Sequence, residues 1–143
     1  AGRIAGQGRG FLQTYAPEHP VIKALLANDR DAFYKSEIEA RRASGLPPFG
    51  RLAALIFSGA DRNQTAEFAR AVMRAAPHDQ PVTLLGPAEA ALSLVRGRHR
   101  FRSLVMAPRA FDLQAYLRQW LKAAPKPRAS LRLQVDVDPQ SFL

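Results

Sequence analysis

Apolar positions recur along this chain with two periods, one of about two residues and one of 3.6, and their alternation predicts its elements. Leu52 to Phe57 is β-branched and aromatic in content and reads as a strand, turned by Ser58-Gly59. Asp61 followed by Gln64 forms a capping box for a helix whose core face is Ala69, Val72, Met73 and Ala76. Pro77 to Pro81 is a loop and Val82 to Leu85 a strand, with Leu92 to Val95 either its continuation or the next one. A turn near Gly97 leads back through Phe101 to Met106, and Ala107-Pro108 ends that strand. Residues 111 to 123 have helical spacing at Leu113, Tyr116, Leu117, Trp120 and Leu121. From Ser130 to Val137, Leu131, Leu133, Val135 and Val137 alternate with Arg132, Gln134 and Asp136, the pattern of a half-buried strand.

Strand, helix, strand, strand, helix, strand is the order of a split βαβ, ferredoxin-like two-layer α+β sandwich, in which two helices cover one face of an antiparallel sheet. The other face is then open to a partner. Upstream the pattern is looser. Phe11 to Tyr15 is a short strand candidate, and Pro17-Glu18-His19-Pro20 opens a short helix carrying Ile22, Leu25 and Leu26. Asn28 or Asp29 caps a second helix, with Phe33, Tyr34 and Ile38 on one side, that runs to about Ser44 and stops at Gly45. Gly45-Leu46-Pro47-Pro48-Phe49-Gly50 cannot continue a helix, so the expected boundary divides residues 1–48 from 49–143.

An apolar fraction of 47% with 23% charged residues predicts a packed core rather than disorder. The sequence has no cysteine, and three scattered histidines offer no ligand cluster, so no metal site is expected. Its longest apolar runs fall far short of the roughly 20 residues of a membrane helix, and the expected location is cytoplasmic. The formal net charge is +9. Residues 1–48 carry seven Lys/Arg against five Asp/Glu and residues 49–143 fourteen against seven, so the surplus, and with it a polyanionic partner, belongs to the second segment.

Arg96, Arg98, Arg100 and Arg102 alternate with Gly97, His99 and Phe101. In an extended chain the arginines share one face, where they can follow a phosphate backbone, and an exposed His99 or Phe101 can stack on an unpaired base. A bend at Gly97 would break that row. Tyr116, Leu117 and Trp120 read as core. Asp136, Asp138 and Glu89 read as surface charges, and Gly6 to Gly10 as a plain turn before the strand.

Six stretches resemble, in order, the primosomal protein N′ (PriA) family of replication-restart helicases. Ala1-Gly2-Arg3 is similar to the end of helicase motif VI, and FLQTYAPEHPVI (residues 11–22) to the stretch after it. AFYKSEIEARRASGLPPFGRLA (32–53), GPAEA (86–90), RGRHRFRSLVMAP (96–108) and DVDPQSFL (136–143) resemble the remaining blocks. The resemblance implies a parent ATP-dependent 3′→5′ DNA helicase that recognises stalled or branched forks and assembles the primosome with other primosome proteins. Residues 1–48 would finish its second helicase lobe, and 49–143 would be a C-terminal domain likened to a small-subunit ribosomal protein.

It also implies roles for named residues. Arg3 would stabilise charge on the γ-phosphate of ATP, as an arginine finger does. Arg109 and Gln114 match positions that help bind the acidic C-terminal tail of the single-stranded-DNA-binding protein. The ATP, Mg²⁺ and Zn²⁺ sites of the parent would lie upstream, since no Gly-x-x-x-x-Gly-Lys pattern occurs here, and the fragment alone is expected to be inactive. Two other readings remain open: a stand-alone ribosome-like RNA-binding module, and a small-ligand regulatory domain.

Overall fold

The computed structural model describes residues 10–139, and the chain divides into two compact units, 1–40 and 41–143. In the first unit, helix α1 (Pro20–Leu26) begins with proline at its first position, and His19 caps it by accepting the Val21 N–H on Nδ1. Helix α2 (Arg30–Ala43) is capped by Asp29, whose Oδ1 accepts the Ala32 N–H at 2.9 Å. The strand expected at Phe11 to Tyr15 is absent: these residues form no ladder, and Phe11 and Tyr15 are fully exposed. A strand needs a partner to satisfy its backbone groups, and among the described residues none pairs with this segment.

The second unit is the split βαβ sandwich. Strand β1 (Gly50–Gly59) leads to helix α3 (Arg62–Arg74), strand β2 (Thr83–Val95), strand β3 (Arg98–Pro108), helix α4 (Leu113–Ala123) and strand β4 (Arg132–Val137). The sheet order is β2-β3-β1-β4 with every neighbouring pair antiparallel. The first helix crossover therefore leaves a gap that β3 fills afterwards, and the second steps over β1.

The helices start where their caps fall. Asp61 accepts the Gln64 N–H at 2.7 Å, and Asp112 accepts the Ala115 N–H at 2.9 Å. Their apolar stripes meet one sheet face. Phe68, Ala69 and Val72 of α3 and Leu113, Tyr116, Leu117 and Trp120 of α4 pack with Ala53, Leu55 and Phe57 of β1 and Phe101, Val105 and Ala107 of β3. Trp120 ties the two helices together, because its Nε1–H donates to the Val72 carbonyl at 2.8 Å. The side chain is core, as the helical spacing implies.

Strand β2 runs on to Val95 through Leu92, so the two apolar stretches are one edge strand with two register shifts. Gly86, at φ +91°, and Pro87, which has no N–H to donate, occupy the first irregularity. An edge strand tolerates both.

Candidate nucleic-acid interface

The alternation within β3 sorts its side chains. Phe101, Ser103, Val105 and Ala107 are buried towards the helices, while Arg98, Arg100 and Arg102 are half-buried on the open face with Leu104 and Met106. Arg96 does not share that row. It and Gly97 both have positive φ, +50° and +72°, and make the two-residue turn between Val95 and Arg98, the left-handed pair that matches the twist of a β-hairpin. The bend at Gly97 therefore removes one of the four arginines expected on a common face. Phe101 is only 7% exposed and sits on the helix side, so it is no stacking platform. His99 falls on the same side, opposite Leu94 and Gly59.

The register extends the arginine row into an area. Ser58 of β1 lies opposite Arg100 on one side and Arg132 of β4 on the other, and Ile56 lies between Arg102 and Gln134 in the next row. Arg132 and Gln134 are exposed. Arg98 leans across the sheet end, its Nη2 donating to the Ser58 carbonyl at 3.1 Å, to Ser58 Oγ at 3.3 Å and to the Ser130 carbonyl. None of Arg98, Arg100, Arg102 and Arg132 forms an ion pair among the described residues. Sequence reasoning missed Arg132. Its outward parity was legible, but its proximity to Arg100 follows only once β1 is known to separate β3 from β4.

Basic side chains also stand on the helix side. Arg62 pairs with Glu89 and lies 6.0 Å from the Phe101 ring centroid. At the opposite end of the sheet, Arg109 is exposed in the turn after Pro108, and Gln114 is exposed in the first turn of α4. Asp112 stands between them in sequence, with its carboxylate engaged in the helix cap. Arg3 lies outside the described residues, as do Gly6 and Gly8.

Near that end Arg51 clasps Asp138, with contacts of 3.1 Å and 2.9 Å to one carboxylate oxygen, and the Leu52 N–H donates to the other at 3.3 Å. The hydrogen bond from Arg51 holds the Asp138 carboxyl below its ordinary range, aided by the Leu52 N–H and opposed by burial. A depressed carboxyl stabilises the fold above its ordinary range and loses that contribution as pH falls through the folded value. Asp138→Asn should therefore lower stability near pH 7, by less than about 1 kcal/mol for so exposed a pair. Chemical denaturation at about pH 7 and about pH 3 should show the gap between variant and parent closing at the lower value.

The sequence has no cysteine and no Gly-x-x-x-x-Gly-Lys loop, and among the described residues no three His, Asp or Glu gather as metal ligands. The residues here do not fit Mg²⁺-ATP or a thiolate-bound Zn²⁺.

Residues 42–140 match the family described as the primosomal protein N C-terminal domain. The chain belongs to that family. The replication restart protein PriA of Rickettsia felis is 39% identical over 142 residues, which cover 99% of this chain and 22% of that protein. The PriA proteins of Haemophilus influenzae and Bacillus subtilis are 36% and 23% identical, covering 99% and 100% of this chain and 20% and 18% of their own lengths. The chain thus spans about a fifth of these relatives. Of the blocks that resemble PriA, residues 86–90 form the irregular stretch of β2 and residues 96–108 form the hairpin turn with β3. Residues 136–143 begin in β4 and leave the described residues after Pro139. The most basic block is therefore the one that carries the open-face arginines.

Among the described residues no helix is long and apolar enough to cross a membrane.

Proposed function

We propose that this chain is the C-terminal part of an ATP-dependent 3′→5′ DNA helicase that acts at stalled or branched replication forks and assembles the primosome. Its own contribution is to hold DNA and to dock a partner. The likeness to replication restart proteins over 99% of the chain supports the parent activity, and the arginines on the open face of the sheet support the DNA contact. Arg98, Arg100 and Arg102 present guanidinium groups to phosphates, with Arg96 at the turn beside them. Arg109 and Gln114 offer a charged fork and an amide to the acidic C-terminal tail of the single-stranded-DNA-binding protein. ATP, Mg²⁺ and Zn²⁺ belong to the upstream four-fifths of the longer protein, where Arg3 would complete the nucleotide site, and residues 1–48 finish its second helicase lobe. The cytoplasm, on the nucleoid, is the location this role requires.

Fluorescence anisotropy with forked DNA and with a labelled acidic-tail peptide tests both contacts. Arg98→Ala/Arg100→Ala should weaken fork binding roughly tenfold and reduce its log–log salt dependence by about 1.4 to 1.8, because each lost phosphate contact removes about 0.7 to 0.9. Arg109→Ala should weaken the peptide and spare the fork. Unchanged affinities in both variants, with the fold intact by circular dichroism, would remove both assignments, and preference for structured RNA in competition would favour the ribosome-like reading.

A further inference from the structure

Resting on the DNA-binding reading above, we infer that the open face of the sheet grips the double-helical arm of a fork rather than its unpaired strand, and that Arg132 of β4 is one of the residues that hold it. Three features of the face lead there. The first is its shape. Arg98 to Arg102 run along β3 over about 13 Å at the usual strand rise, and Arg132 stands two strands from Arg100, about 10 Å away. A single strand offers one line of phosphates, which the β3 row alone could follow. A duplex offers two lines on either side of a groove, the minor groove being about 6 Å wide, and a patch of guanidinium groups on two strands of the sheet can meet both.

The second feature is what the face lacks. Proteins that hold unpaired strands stack bases on aromatic side chains. Among the described residues of the second unit, Phe57, Phe68, Phe101, Tyr116 and Trp120 belong to the core on the helix side. Phe111 packs against Tyr116 of α4, and Phe49 lies under Arg42. Among the described residues of β1 to β4 no ring faces the open side, where Ile56, Leu104, Met106, Ser58 and Gln134 surround the arginines. Ser58 and Gln134 are backbone-contacting residue types, suited to phosphate and sugar oxygens.

The third feature is polarity across the face. Its acid, Asp136, pairs with Ala54 in the row of Leu104, one row beyond Gln134, whereas the four arginines cluster at the hairpin end. Arg98 is already fixed there by Ser58 and Ser130, so its charge meets a phosphate without first being ordered. The patch therefore has an end to which a rod-like polyanion fits, and the higher charge density of a duplex, one charge per about 1.7 Å of axis, favours it over a single strand.

The test titrates the 143-residue chain against a blunt DNA duplex, the same-length single strand and a fork, each labelled, over a range of salt. The wild type should bind the blunt duplex at least as tightly as the fork arm requires and roughly fivefold or more tighter than the single strand. Arg132→Ala should weaken the duplex roughly three- to tenfold and lower its salt slope by about 0.9, while changing single-strand affinity little. Arg132→Lys should recover most of the loss, which a merely structural defect would not. If the single strand binds more tightly, or Arg132→Ala leaves the duplex unchanged while Arg98→Ala/Arg100→Ala weakens the fork, this inference is overturned and the DNA-binding function stands. If no DNA form binds at low salt, the functional reading itself is lost. Equal or tighter binding of an RNA duplex would overturn the assignment to DNA.

Discussion

Trp120→Ala is expected to cost about 3 to 5 kcal/mol of folding stability, a large share of the roughly 5 to 15 kcal/mol that holds a domain together. The indole is wholly buried between the two helices and the sheet, its ring centroid 5.9 Å from that of Tyr116, and no neighbour can collapse into the space without leaving its own contacts. The Nε1–H bond to Val72 adds to the loss. Val72 keeps a second donor, however, since its carbonyl also accepts the Ala75 N–H at 3.1 Å. Trp120→Phe should therefore be milder, at about 1 to 2 kcal/mol, with most of the ring volume kept and one hydrogen bond removed. Thermal melts followed by circular dichroism should show the alanine variant lower by more than about 10 °C and the phenylalanine variant by a few degrees. Equal melting of Trp120→Ala and wild type would mean that α3 and α4 do not share this core.

Gly50→Ala should be nearly as damaging, for a different reason. A Cβ on Gly50 would stand 2.0 Å from the Gly45 carbonyl oxygen and 3.0 Å from that of Ala107. Both obstacles are backbone, so no rotamer change relieves them. The Gly45 to Gly50 turn, closed by the Gly50 N–H on the Leu46 carbonyl at 3.3 Å, would have to open, or β1 would have to leave β3. The cost should reach about 3 kcal/mol, the upper end for overpacking. Gly97→Ala provides the contrast. Nothing lies within 4 Å of its added Cβ, but φ is +72°, so only the left-handed penalty of about 1 kcal/mol applies. Urea denaturation of the two variants should separate steric clash from backbone strain by the difference in midpoint, and a Gly50→Ala protein as stable as Gly97→Ala would show that the turn yields freely.

Much of the sandwich was legible because its elements obey one period at a time. The alternation of Leu131, Leu133, Val135 and Val137 predicts β4, and the spacing of Leu113, Tyr116, Leu117 and Trp120 predicts the buried stripe of α4; both are found. Asp61 and Asp112 cap their helices through local hydrogen bonds, which depend on only three or four successive residues. The short segment at Phe11 to Tyr15 misleads because β-propensity describes a surface that fits a sheet, and no sheet is there to fit. Strand β2 resists division because Gly86-Pro87, an ordinary turn signal, sits on an edge where a bulge serves as well.

The candidate interface was half legible for the same reasons. Parity along β3 places Arg98, Arg100 and Arg102 together from sequence alone, but the turn that displaces Arg96 depends on its conformation, with positive φ at both Arg96 and Gly97. Phe101 could be assigned to ring stacking or to the core with equal ease until the sheet showed which side the helices cover. Arg132, some thirty residues from Arg100, joins the patch only through the strand order. Residues close along the chain are grouped by period, whereas residues close across a sheet are grouped by topology.

Strand β1 has both of its sheet neighbours, β3 and β4, later in the chain. During synthesis its backbone therefore waits with both edges unsatisfied until residues 98–108, and finally 132–137, have emerged. Closure is a long-range event, which slows folding relative to a hairpin-first architecture. A ribosome pausing before Arg132 would leave one side of this strand bare, a state open to mispairing with other nascent chains.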